Sequence, residues 1–273
     1  MVNTMMAGQY RSVFRGSGIE FEEVREYSPG DEVKSIDWKV SARMGRPYIK
    51  RYREERELVV ILLVDMSASG SFGTRENLKR ETAAETAAIL AFNAIRNNDK
   101  VGAVLFTDTV EKYIPPKKGS AHVWRVIREI FTFSPESRGT DIANAVSYLG
   151  RVCRKKTISF LISDFLDKDY LRQIRTISRK HEFIGVLLSD PGDFHLPKAG
   201  ICRIQDLENG SMMAVDAGDK KTRQRYHEMK KAEYRDTLQL LKTADIDRIE
   251  ISTEDAVADA LTRYFRYREK RKH

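Results

Sequence analysis

The sequence predicts an α/β protein with a doubly wound, mostly parallel sheet of the Rossmann type and a small β-rich extension at its N-terminal side. From residue 57 onward, short runs rich in β-branched residues alternate with longer amphipathic stretches, the pattern of strands joined by crossover helices. The strand-like runs are apolar at nearly every position, as expected for strands covered on both faces. We therefore divide the chain into an N-terminal segment, residues 1–56, and an α/β domain, residues 57–273.

Each element of the α/β domain has its own signal. Four continuous apolar runs predict the buried strands ELVVILLVD (57–65), KVGAVLFTD (100–108), TISFLISD (157–164) and HEFIGVLLSD (181–190). Shorter runs predict a hairpin partner at 109–116 that two prolines stop, a hairpin at 201–216 with Asn209-Gly210 at its turn, and a strand at 248–252. Stretches with helical composition and spacing predict helices at 76–98, 121–133, 141–153, 169–180, 219–243 and 254–270.

Composition limits the class of protein. The chain has 273 residues, of which 41% are hydrophobic and 32% charged, and this balance is typical of a globular protein. Its apolar runs are strand-sized, and the first residues, MVNTMMAGQYRS, lack the pattern of a signal peptide. Cys153 and Cys202 fit neither a disulfide framework nor a zinc pattern. We expect a soluble, cytoplasmic protein with free thiols and no membrane span.

Most of the net charge of +8 lies near the C-terminus. The last eleven residues, RYFRYREKRKH, hold six basic residues against Glu269. Such a stretch favours a solvated helix whose cations complement the helix dipole. The alternative is a surface that binds nucleic acid or anionic lipid, but no nucleic-acid-binding motif accompanies the charge, so nucleic acid is an unfavoured partner.

Small oxygen-bearing side chains follow the strands at one edge of the predicted sheet. The run ILLVDMSASGS (61–71) passes directly from a buried strand into Asp65, Ser67 and Ser69. Asp164 ends another core strand, and Thr140 precedes a helix. Ligands of doubly wound sheets lie beyond the carboxyl ends of the strands, so we expect these side chains to meet there. Carboxylates and hydroxyls without histidine or thiolate indicate a site for Mg²⁺ or Mn²⁺, with Ca²⁺ as an alternative.

Other interpretations of the same residues remain open. The D-x-S-x-S run is also typical of a helix N-cap. A serine nucleophile would need a histidine base and a G-x-S-x-G elbow, which the sequence lacks, and there is no P-loop. A metal-dependent phosphoesterase is an alternative, but ligands dominated by hydroxyls supply little charge and no general base. We expect no enzymatic activity and no small-molecule substrate.

The five residues Asp65, Ser67, Ser69, Thr140 and Asp164 resemble the metal-ion-dependent adhesion site of von Willebrand factor A domains. The resemblance covers about residues 57 to 205. It implies that the two serines and the threonine bind the divalent ion, while the two aspartates support it directly or through water. It also implies that an acidic residue of a partner protein completes the coordination.

The N-terminal segment is similar to the signature of the bacterial domain-of-unknown-function fifty-eight family. The similarity rests on the stretches Arg25-Glu26-Tyr27, Pro29-Gly30-Asp31, Ile36-Asp37-Trp38 and Ser41-Ala42-Arg43. It implies that the chain works with a MoxR-type AAA+ ATPase, or a client of that ATPase, as a non-enzymatic adaptor. Within the signature we expect Trp38 to be a core anchor and Asp37 to pair with Arg43, although a partner-binding role of the segment is the alternative.

Overall fold

The structure, a computed structural model, describes residues 8, 10, 13–14, 20–53, 57–74 and 77–272. The chain forms two compact units, residues 14–58 and residues 59–273 together with the start of the chain. Tyr10, which is helical, belongs to the larger unit because its ring is fully buried and packs edge-on against Phe265, with ring centroids 5.8 Å apart. The boundary predicted from the sequence places Tyr10 in the smaller segment instead.

The smaller unit is a two-stranded antiparallel sheet with one short helix. Strand β1 (Glu20–Glu26) pairs with β2 (Tyr48–Arg53), and a 3₁₀ turn (Val33–Ser35) and helix α1 (Trp38–Met44) connect them. The expected β-rich extension is therefore two strands.

Two expectations about the signature are wrong. Trp38 is the first residue of α1 and is 68% exposed, so it is no core anchor. Asp37 caps α1 by accepting a hydrogen bond from the Lys39 N–H at 3.0 Å, and its second oxygen lies 3.1 Å from Lys50 Nζ. The backbone of Asp37 is hydrogen-bonded to β2, and this brings Lys50 rather than Arg43 to its carboxylate.

The larger unit is built on a six-stranded sheet. Its strands are β3 (Val59–Asp65), β4 (Lys100–Phe106), β5 (Val110–Lys117), β6 (Ile158–Ser163), β7 (Glu182–Ser189) and β10 (Asp247–Ser252). The strand order is β10-β7-β6-β3-β4-β5, and every neighbouring pair is parallel except β4 with β5. The strands β8 (Ile201–Gln205) and β9 (Met212–Asp216) form a separate antiparallel hairpin, as expected.

The larger unit also contains the helices that connect and follow the strands of the sheet. They are α2 (Lys79–Arg96), α3 (Ser120–Thr132), α4 (Ile142–Val152), α5 (Leu171–Ser178), α6 (Pro191–Phe194), α7 (Lys220–Thr243) and α8 (Val257–Lys272). Residues of β3, β4, β6, α4 and α5 share one apolar core, which takes alternate positions of β3 such as Ile61 and Leu63. The positions between and beside them, such as Leu62 and Val64, are also fully buried, which explains why β3 is apolar throughout. The predicted mostly parallel α/β class is confirmed. Both cysteines are free, and none of the described helices is long and apolar enough to cross a membrane.

The order of the strands creates a crevice at one edge of the sheet. From β3 the chain crosses to β4 on one side, and it later returns to β6 on the other side of β3. Connections that leave two adjacent parallel strands in opposite directions open a crevice beyond their carboxyl ends. Asp65 ends β3 and Asp164 directly follows β6, so both lie at this crevice.

Candidate metal centre

The loop after β3 holds three of the five predicted site residues in one hydrogen-bonded arrangement. Asp65 Oδ1 accepts a hydrogen bond from the Ser67 N–H at 2.9 Å, and its Oδ2 accepts one from Ser163 Oγ at 2.6 Å. The hydroxyl oxygens of Ser67 and Ser69 lie 3.0 Å apart. Asp65 and Ser67 are both buried. The carboxylate of Asp65 thus fixes the loop and joins the ends of β3 and β6.

The capping interpretation does not explain these serines. Ser67 precedes a 3₁₀ turn (Ala68–Ser71), but its hydroxyl makes no capping hydrogen bond. Helix α2 begins only at Lys79. The Ser67 hydroxyl lies within hydrogen-bonding distance of another side chain and not of a helix start, so the spacing of the motif serves the side-chain cluster.

The loop that carries Thr140 is tied to the serine loop by the main chain. The Ala68 N–H donates a hydrogen bond to the Arg138 carbonyl at 2.9 Å. Asp141 then caps α4 by accepting a hydrogen bond from the Asn144 N–H at 2.7 Å. These two anchors hold Thr140 between them, on the side of the crevice occupied by the serine loop.

Thr140 has an acidic partner that the sequence did not predict. Its Oγ1 donates a hydrogen bond to Glu208 Oε1 at 2.8 Å, and Glu208 lies at the tip of the β8–β9 hairpin. The two residues are 68 positions apart in the chain. The sequence contains no local signal for this contact, because it depends on where the hairpin folds back.

A buried lysine is the second functional residue missed from the sequence. Lys79, only 3% exposed, places its Nζ 3.1 Å from Asp164 Oδ2 and 2.9 Å from Asp193 Oδ1. The sequence does contain a signal for this buried lysine. Lys79 shares one face of α2 with the buried residues Ala83 and Leu90, because their spacing is that of a helix face. A lysine on a buried helix face needs a carboxylate partner.

Burial and like charges shift the pKa values in the crevice. Burial, and then the charge of Asp164, raise the pKa of Asp65 well above the usual range of an aspartate. Burial also raises the pKa of Glu208, with Asp164 adding to the shift. For Lys79, burial opposes the charged form, but Asp164 and Asp193 outweigh it and the pKa rises. The four carboxylates of Asp65, Asp164, Asp193 and Glu208 thus outnumber the two cations of Lys79 and Arg80, and this favours uptake of a further cation.

The donor set and the space fit a small hard cation. A cavity of about 10 Å³, the room for about one water molecule, lies between the strand ends. It is lined by Asp65, Ser69, Gly70, Lys79, Arg80, Ala83, Ser163, Asp164 and Leu188. Ser67 and Thr140 are not among these lining residues. The described residues contain no group of three His, Cys, Asp or Glu side chains suited to a metal, so hydroxyls would have to supply part of the ligation here. Mg²⁺ and Mn²⁺ accept such ligands together with water.

Solved structures share this fold. BatB from Bacteroides thetaiotaomicron has a TM-score of 0.50 and 12% identity over 78% of this chain and 99% of its own. An aerotolerance-related membrane protein from Bacteroides fragilis has a TM-score of 0.50 and 16% identity with the same coverages. The VWA domain of SpRpn10 is also similar, with a TM-score of 0.44 and 8% identity over 76% of this chain and 95% of its own. At these identities the first two likenesses concern the α/β fold alone.

Sequence comparison identifies the family. The chain belongs to the family described as protein of unknown function DUF58, which matches residues 23–236. Uncharacterized protein Rv1480 of Mycobacterium tuberculosis is 34% identical over 209 residues, which are 76% of this chain and 66% of that protein. YeaD of Bacillus subtilis is 28% identical over 149 residues, 54% of this chain and 35% of that protein. The chain thus matches just under two thirds of the length of the mycobacterial relative.

Proposed function

We propose that this protein is a non-enzymatic adaptor that docks an acidic side chain of a partner protein through a divalent cation. Mg²⁺ or Mn²⁺, with Ca²⁺ as an alternative, would be held by Ser67, Ser69 and Thr140, with Asp65 and Asp164 in supporting positions. The observation that carries this proposal is the hydrogen-bonded cluster of Asp65, Ser67 and Ser69 at the end of β3. A small cavity beside it has Asp65, Ser69, Ser163 and Asp164 among its lining residues.

The choice of ligands explains why a partner would be needed. Serine and threonine hydroxyls are neutral, so an ion held by them keeps most of its charge and attracts a further carboxylate. The two carboxylate oxygens of Asp65 accept hydrogen bonds from the Ser67 N–H and the Ser163 hydroxyl. These bonds fix the direction in which the loop presents the hydroxyl oxygens of Ser67 and Ser69. An incoming glutamate or aspartate would complete the coordination and fix the orientation of the partner.

A binding role is favoured over a hydrolytic one by the residues at the crevice. No histidine is among the described residues that line the cavity, and the one lysine there is neutralised by Asp164 and Asp193. A hydrolase would need a general base beside the ion. Both Asp65 oxygens are already acceptors of hydrogen bonds within the fold.

The proposed partner is a MoxR-type AAA+ ATPase or a client protein that it remodels. Support for this partner comes from the family resemblance of the N-terminal signature together with the acidic-ligand chemistry of the site. The cytoplasmic location expected from the sequence stays a prediction, as does the division at residue 56.

Binding of a purified MoxR-type ATPase, measured by surface plasmon resonance in Mg²⁺ and in EDTA, tests the proposal. We expect binding in Mg²⁺ that is lost in EDTA and in Asp65→Ala. Thr140→Val removes one hydroxyl while keeping the side-chain shape, and it should weaken binding about tenfold or more. The matched control is Thr176→Val, an exposed threonine on α5 that bonds only within its own helix. Binding that persists in EDTA and in Asp65→Ala contradicts the proposal.

A further inference from the structure

The tip of the β8–β9 hairpin places a carboxylate against Thr140, one of the predicted metal ligands. Glu208 Oε1 accepts the hydrogen bond of Thr140 Oγ1 at 2.8 Å, and the Glu208 side chain is partly buried there. We propose that Glu208 is an internal acidic ligand of the metal centre, which holds the position of the partner's carboxylate until the partner displaces it. This inference rests on the proposed function, because it concerns the same ion.

The hairpin tip is ordered in a way that aims Glu208. Asp206 Oδ1 accepts hydrogen bonds from the Glu208 N–H at 2.9 Å and the Asn209 N–H at 3.3 Å. Its Oδ2 accepts a third bond from Asn209 Nδ2 at 2.6 Å. Gly210 takes the left-handed conformation, with φ of 73°, that closes the turn. The turn is thus held by Asp206, and the Glu208 carboxylate is left for Thr140.

The charged side chains around the crevice support a cation site next to Glu208. Asp65 and Asp164 both line the cavity between the strand ends, and Glu208 reaches Thr140 on the loop that the Ala68–Arg138 hydrogen bond ties to the serine loop. Carboxylates gathered in one crevice repel each other unless a cation compensates them. Lys79 supplies one positive charge, which Asp164 and Asp193 share, and Arg80 supplies a second beside the cavity. A divalent ion among the hydroxyls would supply the missing charge and turn Glu208 from a repelled group into a ligand.

The way the β8–β9 hairpin is attached permits its tip, with Glu208, to move away from Thr140. Strands β8 and β9 form a sheet of two strands, separate from the six-stranded sheet. Its side chains Ile201, Met212 and Met213 are largely exposed, so little apolar surface would be uncovered if the tip moved. Two-stranded hairpins are marginally stable by themselves. Displacement of Glu208 by a partner carboxylate therefore exchanges one ligand for another without opening the core.

Mn²⁺ binding to the full chain, followed by the relaxation of water protons, tests this inference. In Glu208→Gln we expect Mn²⁺ to bind about tenfold more weakly, since one charged contact is lost. The bound Mn²⁺ should also relax water protons faster, because a water molecule replaces the carboxylate. Acetate, added as a free carboxylate, should bind the Mn²⁺-loaded variant about tenfold more tightly than the Mn²⁺-loaded wild type. Glu228→Gln, on the exposed face of α7, is the matched control and should behave as wild type.

The outcomes separate this inference from the proposed function. Wild-type affinity, relaxation and acetate binding in Glu208→Gln would overturn the role of Glu208, while loss of Mn²⁺ in Asp65→Ala would still support the metal centre. If the wild-type protein binds no Mn²⁺, the proposed function and the inference both fail. A drop in Mn²⁺ affinity without a gain in acetate affinity would show that Glu208 only shapes the loop, and it would also overturn the inference.

Discussion

Individual buried charged residues determine the electrostatics and the stability of the crevice. Lys79 and Asp164 are almost fully enclosed by protein, and Asp65 holds two loops at once. A buried ion is tolerated only while its partners stay in place. Substitutions at these residues therefore report on the electrostatics of the site as well as on stability.

Replacing Lys79 by methionine should destabilise the metal-free protein. The variant leaves the buried Asp164 without its ammonium partner, and loss of one partner from a buried pair costs about 3–5 kcal/mol. A divalent ion in the crevice would compensate Asp164, so the loss should be smaller in saturating Mg²⁺ than in EDTA. Urea unfolding in both conditions measures this.

The control for that comparison is Lys230→Met, which breaks a more exposed pair with Glu233 and should cost less than about 1 kcal/mol. Equal losses for Lys79→Met in Mg²⁺ and in EDTA would show that the ion does not act on Asp164.

Asp190 is another buried carboxylate, and its role is structural. It accepts hydrogen bonds from the Thr74 hydroxyl at 2.6 Å, the Gly192 N–H at 2.7 Å and the Thr253 hydroxyl at 2.6 Å. Burial acts to raise the pKa of Asp190, but the bonds from Thr253 and Thr74 outweigh it and lower the pKa. The charged form is therefore more stable in the folded protein than in the unfolded chain.

This shift predicts how Asp190→Asn depends on pH. A depressed folded pKa contributes stability that is present above the unfolded value of about 3.9 and is lost as pH falls through the folded value. At pH 6 we expect the variant to be about 2–3 kcal/mol less stable than wild type. The difference should narrow below about pH 4. Urea unfolding of both proteins across this range measures it, and a difference that stays constant down to low pH would refute the assignment.

At the scale of elements, the strands are positioned by close backbone contacts. Strand β5 includes Pro115 and Pro116, so these prolines do not stop it as the sequence suggested. It tolerates them because it lies at the edge of the sheet, where a proline need not donate to a neighbouring strand. Opposite them, Gly102 of β4 leaves no room for a side chain.

Gly102→Ala should therefore destabilise the sheet. A Cβ at this position would lie 2.7 Å from the Ile114 carbonyl oxygen and 2.9 Å from the Pro116 nitrogen, so β4 and β5 would have to separate. We expect a loss of about 1–3 kcal/mol in thermal or urea unfolding. The control is Gly200→Ala, where a Cβ meets no atom within 4 Å. Equal stability of the two variants would refute the close packing.

The basic C-terminal stretch belongs to a packed helix. Arg268 of α8 forms ion pairs with Glu182 of β7 and with Asp247 of β10, and its guanidinium donates to the Tyr264 hydroxyl. Part of the positive charge near the C-terminus is thus used to attach α8 to the sheet. This favours the helix interpretation of the stretch over a surface dedicated to nucleic acid or lipid.

At the scale of the whole molecule, the fold was predictable because its signals are local. Periodicity located every strand of the large sheet, and the strand predicted at 157–164 is observed at Ile158–Ser163. The contacts of Lys79 with Asp164 and of Thr140 with Glu208 were not predictable, since they join residues 85 and 68 positions apart and depend on topology. Trp38 was assigned to a core from its hydrophobicity alone, but burial also requires an element that covers it.

The central claim is that the crevice beyond the ends of β3 and β6 binds a divalent ion. Calorimetric titration of Mg²⁺ and Mn²⁺ into metal-stripped protein, beside Asp65→Ala and Thr140→Val, tests it most directly. We predict saturable binding of one ion per chain, lost in Asp65→Ala and weakened about tenfold or more in Thr140→Val. Absence of binding to the wild-type protein, or equal binding to all three proteins, would contradict the claim.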